Sequence, residues 1–368
     1  MNNTSNRKIS LDILRILAML GIIGLYIIGK GGILANLSMH SIRTYIILII
    51  YTVCFLSVDT FGILSGYLSW NKEKVKYKRI IELIVICLFY SFIITGIFYA
   101  FDLYSVRSLG KRMFFHSLFP ALIGRYWYIT CYIFLFFLIP YINLFINKLS
   151  KEKFKKFLII VFILLSVFPS LFFSIDFFKT GNGYSPFWLI YCYMLGAYIG
   201  KYYEKQKITK KMIFSLIGCI LIAFILNCLV RVLTLILFKE LRYSDWFINY
   251  ISPFIVIASL LMVMISSKIN ITIKSNILTK LISYLSLCSF AVYIIHSHYL
   301  IYEFLLNGYM VKYVYSNIFV LLGAFFISLI VIYLVGFIID LVRIQLFKLL
   351  RINKFIDYLG NKLNEKLD

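Results

Sequence analysis

The chain has 368 residues, of which 62% are hydrophobic, 18% aromatic and only 14% charged, and a water-soluble globule has no use for that much apolar surface. The charge is lopsided, 38 Lys and Arg against 15 Asp and Glu for a formal +23, but a nucleic-acid groove must sit on a wettable surface and this composition offers none. Five prolines and 19 glycines exclude a collagen-like repeat or a disordered linker, which leaves an all-α, polytopic transmembrane helical bundle.

A helix needs about 20 mostly apolar residues to cross the hydrocarbon core. Ten runs meet that length: 11–34, 44–69, 80–103, 126–147, 157–175, 186–203, 213–237, 247–267, 281–303 and 316–342. The N-terminal layout, Asn6-Arg7-Lys8 followed by an apolar run from Leu11, is that of a signal sequence. No small-x-small cleavage site closes it, so it is expected to stay as the first span. Ten spans put both termini on one side, and the basic residues choose that side because Lys and Arg gather in cytoplasmic loops. One set of segments holds 26 of them and the alternate set 10, with Arg15 and Arg231 inside spans. Both termini are therefore expected in the cytoplasm.

The outside segment 104–125 carries four basic residues and the apolar patch Phe114 to Ile123, and is expected to lie flat on the membrane or re-enter it. No loop is long enough to bury a core of its own. Residues 1–345 are expected to form a single transmembrane domain, and 346–368 a basic amphipathic cytoplasmic tail. The seven cysteines share no CxxC spacing and lie mostly in apolar stretches, so they are read as packing, with no disulfide framework and no metal site.

Ionisable residues at membrane depth are expensive and become functional suspects. Span one carries Asp12, Arg15 and Tyr26. Arg15 and Tyr26 are eleven positions apart, which returns them to within about 20° of one face and separates them by about 16 Å in height. Two readings stand: a functional pair, or an Arg15 that snorkels to the headgroups beside one of 29 tyrosines. Span two carries Asp59, which needs a partner or a proton, and then Gly62, Ser65 and Gly66, where the GxxxG spacing allows a neighbouring backbone to approach. Span four opens with Arg125-Tyr126-Trp127-Tyr128, an interfacial aromatic belt or a platform for a sugar face. Span nine carries His296 and His298 in its outer half, and at i and i+2 they point to different faces and so cannot form a helical zinc pair. His296 is open to either role, general base or hydrogen-bonded bundle residue.

Taken in order, these residues resemble the acyltransferase 3 family, integral membrane enzymes that O-acylate surface glycans. The resemblance rests on Leu11 to Ala18 with Asp12 and Arg15, on Phe61 to Tyr67 ending Ser-Gly-Tyr, on Tyr126 to Thr130 with Pro140 and Asn143 beyond, and on Ser289 to His296. It runs from about residue 8 to about residue 345. One position departs from it: where the family carries an essential His after the Arg of span one, this chain has Tyr26. The family's basic pair after span two is partly kept, as Lys76 and Arg79, with Glu82 where another cation is expected.

The resemblance implies an acyl-CoA co-substrate, acetyl-CoA in particular, used from the cytoplasm without a metal. It further implies a surface polysaccharide or lipid-linked glycan as acceptor, and a multi-pass protein of a bacterial cell membrane. In this reading Arg15, Lys78 and Arg79 meet the phosphates of CoA, while Ser65 and Gly66 admit its pantetheine arm. Trp127, Tyr128 and His298 meet the acceptor. A phenol is a poor base at neutral pH, so proton transfer would fall to His296 or Asp59, with Tyr26 as relay. The alternatives are a catalytically impaired member of the family, a polysaccharide transporter or polymerase, and a non-catalytic glycan-binding membrane protein.

Overall fold

A computed structural model describes residues 8–172, 175–203, 207–242 and 244–367. Arg7 and Lys205, both used in the charge count, lie outside the described residues, as does the last residue of the expected tail. The chain is 79% helical, with no strand among the described residues. In order the helices are α1 (Ile9–Gly29), α2 (Ile42–Ser69), α3 (Tyr77–Ala100), α4 (Gly110–Leu118), α5 (Trp127–Lys148), α6 (Lys151–Phe162), α7 (Phe168–Leu171) and α8 (Pro186–Tyr202). There follow α9 (Lys210–Phe238), α10 (Pro253–Ser266), α11 (Asn276–Ser297), α12 (Val311–Val314), α13 (Ile318–Leu349) and α14 (Ile352–Leu367). Local chemistry starts several of them. Ser41, Ser150, Ser185, Thr209 and Asn317 each accept a hydrogen bond from a first-turn backbone N–H of α2, α6, α8, α9 and α13.

Among the described residues each of the ten predicted spans contains helix, residues 173–174 of the fifth lying outside them, and eight helical segments are long and apolar enough to cross a membrane. The two that fall short are α8, with 17 residues, and α10, with 14. At 1.5 Å per residue these reach about 25 and 21 Å, against a hydrocarbon core of about 30 Å. The chain leading into α10 is not helical, and its residues Ile248, Tyr250, Ile251 and Ser252 are buried. Irregular backbone is tolerated at membrane depth only where protein covers it. Span five is also composite: a π-helical turn, Ile163–Val167, joins α6 to α7 just ahead of Pro169. Proline supplies no N–H and crowds the preceding turn, so the wider turn absorbs it.

The chain divides into two compact units. The first comprises Met1–Leu25, Asn36–Lys72 and Tyr141–Leu287, and the second Tyr26–Ala35, Glu73–Pro140 and Cys288–Asp368. In the first unit α2 packs along α8, and α10 packs on both α2 and α9. Small residues on both sides permit the α2–α8 contact. A Cβ on Gly66 would run into the carbonyl oxygen of Tyr193, one on Gly196 into that of Ile63, and one on Gly62 would lie 2.8 Å from the Cβ of Cys192. Asn143 secures the end of α2: its Nδ2 donates to the Ser69 and Lys72 carbonyls, each at 2.8 Å, and its Oδ1 accepts from the Tyr193 hydroxyl at 2.9 Å. Gly66→Ala should therefore force the helices apart and destabilise the protein by about 1–3 kcal/mol, measurable as a lower SDS concentration at half-unfolding.

In the second unit α14 packs on α3. Lys78 pairs with Asp357 at 2.5 Å, Asn364 accepts from the Tyr77 backbone N–H at 3.2 Å, and Gly360 lies flush on the backbone of Lys78. The segment 104–125 folds as a turn of tight helix, Leu103–Leu109, and α4, both against α3. Arg107 donates to the Tyr99 and Ala100 carbonyls at 2.8 Å each, filling orphan acceptors at the end of α3. The seven cysteines are free thiols, and all but Cys219 are buried.

Candidate active site

In the second unit a half-buried tyrosine from α1 meets a buried histidine from α11. The rings of Tyr26 and His296 stand edge to face, with centroids 4.9 Å apart and planes at 81°. His296 is only 2% exposed, and its Nδ1 lies 2.6 Å from the carbonyl oxygen of Val292, one turn back on the same helix. A carbonyl can only accept, so Nδ1 carries the hydrogen and, in the neutral ring, Nε2 holds a lone pair. Nε2 is buried and has no hydrogen-bond partner among the described residues. Leaving such an acceptor unmade costs about 1–3 kcal/mol, and groups held at that cost concentrate where chemistry is done. The arrangement fixes the ring and leaves Nε2 as its open acceptor position.

Aromatic rings line the rest of this region. The Tyr293 ring lies 6.0 Å from His296, 6.4 Å from Tyr128 and 6.3 Å from Tyr126. Trp127 and Tyr128 meet edge to face at 5.7 Å, both half-buried. Tyr126 is fully buried, and its hydroxyl donates to the Ile294 carbonyl at 3.0 Å, which locks α5 to α11 within this unit. His298 is engaged at both ring nitrogens: Nε2 donates to the Ser117 carbonyl at 3.1 Å and Nδ1 accepts from the Leu300 backbone N–H at 3.3 Å. Its geometry ties the end of α4 to the end of α11.

Asp59 belongs to the first unit, where it is 1% exposed. Its Oδ1 accepts from the Trp188 indole N–H at 3.0 Å and from the Cys192 thiol at 3.6 Å, while Oδ2 has no partner among the described residues. Arg15 pairs with Asp12 at 2.9 Å, and the same Asp12 oxygen accepts from Ser286 at 2.9 Å. Ser65 is half-buried on α2, and the close approach at Gly66 is taken by the α8 backbone described above. Lys78 is held by Asp357 and Arg79 is exposed at the start of α3. Of the residues singled out in the sequence, the fold thus brings Tyr26, His296, Trp127 and Tyr128 into one aromatic cluster of the second unit.

Two groups went unnoticed in the sequence. Tyr90 donates to Asp340 at 2.7 Å, and Arg343 grips the same carboxylate at 2.5 and 3.2 Å, with all three residues buried. The other is Lys30 with Tyr302 and Glu303, beside Tyr26. Lys30 lies at the end of the first apolar run, and an acid beside an aromatic at the end of another, Tyr302-Glu303, is a readable signal.

Neither a curated protein nor a solved structure matches the chain. A family model described as an acyltransferase domain, that of acyltransferase 3, matches residues 8–339. The match covers nearly the whole chain and takes in the Tyr26–His296 pair, the aromatic cluster and Asp59. With its apolar spanning helices and this match, the chain belongs to the acyltransferase 3 family and is in general terms a multi-pass membrane acyltransferase.

Proposed function

We propose that the protein moves a short acyl group, acetyl in the simplest case, from cytoplasmic acyl-CoA to a hydroxyl of a surface or lipid-linked glycan in a bacterial cell membrane, and that His296 is its base. The observation that carries this reading is the buried, unpartnered Nε2 of His296 against the ring of Tyr26. Where the resemblance implies a histidine base this chain has the phenol of Tyr26, and the imidazole of His296 stands beside that phenol. In the reaction the acceptor hydroxyl gives its proton to Nε2 as its oxygen attacks the thioester carbonyl carbon. The tetrahedral intermediate then expels the CoA sulfur, which takes the proton back from the imidazolium and leaves as the thiol. The acceptor carries away an ester, and His296 returns to its starting tautomer.

On this reading Tyr26 orients the imidazole and the incoming hydroxyl without taking the proton. Trp127 and Tyr128 offer ring faces to the acceptor, and Lys78 and Arg79 offer cations to the donor phosphates. Arg15 and Ser65 are carried as further donor contacts in their own unit, and Asp59 as a second ionisable group. Tyr26→Phe should lower transfer by no more than about tenfold, the worth of one hydrogen bond, when label from acetyl-CoA is followed into glycan. A loss as deep as that of a missing base would make Tyr26 the proton acceptor and overturn the role given to His296.

A further inference from the structure

Beyond α11 and the intervening His298 to Leu300 the chain takes a π-helical turn, Ile301–Leu305, that presents Tyr302 and Glu303. Such turns insert one extra residue per turn and recur at functional sites, where they redirect side chains. Tyr302 stands at 82° to the ring of Tyr26 with centroids 5.5 Å apart, so Tyr26 has His296 on one neighbouring position and Tyr302 on another. The ammonium of Lys30 lies 4.6 Å from the centre of the Tyr302 ring and 2.6 Å from Glu303 Oε2. The Lys30 and Glu303 side chains are 20% and 27% exposed, so the pair is sheltered but reachable. Its position is fixed by backbone: Gly308 N–H donates to the Lys30 carbonyl at 2.9 Å and Met310 N–H to that of Gly31 at 3.1 Å.

We propose that Tyr302, Lys30 and Glu303 form the subsite that seats the acceptor's sugar ring, an inference that rests on the glycan-transfer reading above. The recognised chemistry is a pyranose with free hydroxyls next to the one that reacts. Its apolar C–H face lies on the Tyr302 ring, the Glu303 carboxylate accepts from one neighbouring hydroxyl, and Lys30 donates to another. Because the two charges oppose each other, the subsite needs no charge on the sugar. Both sit on the side of the membrane that the basic-residue count assigns to the outside, where a glycan is found. The attacking hydroxyl then falls toward Tyr26 and His296.

The test is steady-state transfer by the full-length protein in nanodiscs, using radiolabelled acetyl-CoA and unacylated surface glycan purified from a strain that lacks the gene. Tyr302→Ala should raise KM for the glycan by roughly tenfold and Glu303→Gln by about fivefold. KM for acetyl-CoA and kcat should each stay within about twofold, since truncation here removes uniform acceptor binding. Tyr302→Phe, which keeps the ring face, should recover most of the lost affinity and guards against a folding artefact. An unchanged glycan KM in Tyr302→Ala and Glu303→Gln, or an equal rise in the KM for acetyl-CoA, overturns the subsite while leaving the enzyme reading intact. A wild-type protein that transfers no label overturns the enzyme reading, and the subsite falls with it.

Discussion

His296→Gln is expected to lower acyl transfer by roughly 10²- to 10⁴-fold, the usual worth of a general base. Glutamine keeps a polar side chain of similar reach that can still donate to the Val292 carbonyl, so the helix and the ring cluster around it should persist. What it loses is the basic lone pair that the native ring holds at Nε2, buried and unpartnered. Binding of acetyl-CoA should be unaffected, because the donor is assigned to other residues, Lys78 and Arg79 foremost. The check is kcat for label transfer in detergent-purified protein, with donor binding measured separately. Asp59→Asn is the informative control: a silent His296→Gln beside a collapsed Asp59→Asn would move the base to Asp59, whose Oδ2 is also unpartnered.

The largest loss of stability should come from Arg343→Met. Asp340 and Arg343 are spaced i,i+3 on α13, with side chains only 2% and 9% exposed, and Tyr90 donates to the same carboxylate. Removing one partner of a buried pair leaves a charge with no water to take it up, which costs about 3–5 kcal/mol. Replacing both, as in Asp340→Leu with Arg343→Met, removes the uncompensated charge and should restore most of the loss. Equilibrium unfolding in SDS micelles reads both variants, and a double variant as weak as the single one would locate the stability in the ion pair itself.

Much of the fold was legible because apolar runs of about 20 residues leave a membrane chain few options. The composite span around Pro169 and the short helices α8 and α10 were not, since hydropathy cannot tell a helix from irregular backbone that protein buries, as at Tyr250 to Ser252. Arg343 shows a related miss: placed just past the expected end of the last span, it is instead inside α13, which continues to Leu349. Gly62 and Gly66 were readable as a close-packing stripe, but their partner, α8 with Gly196, lies far along the chain. The same holds for the site. Tyr26 and His296 could each be noticed, but their meeting, the tautomer imposed by Val292 and the π-turn that presents Tyr302 exist only in three dimensions.

The most direct measurement is transfer of label from radiolabelled acetyl-CoA into unacylated surface glycan by the purified wild-type protein, beside His296→Gln and Tyr26→His. Protein-dependent label in the wild type that disappears in His296→Gln is the expected result. No label in the wild type, together with a gain on Tyr26→His, would contradict it and make Tyr26 the mark of lost activity.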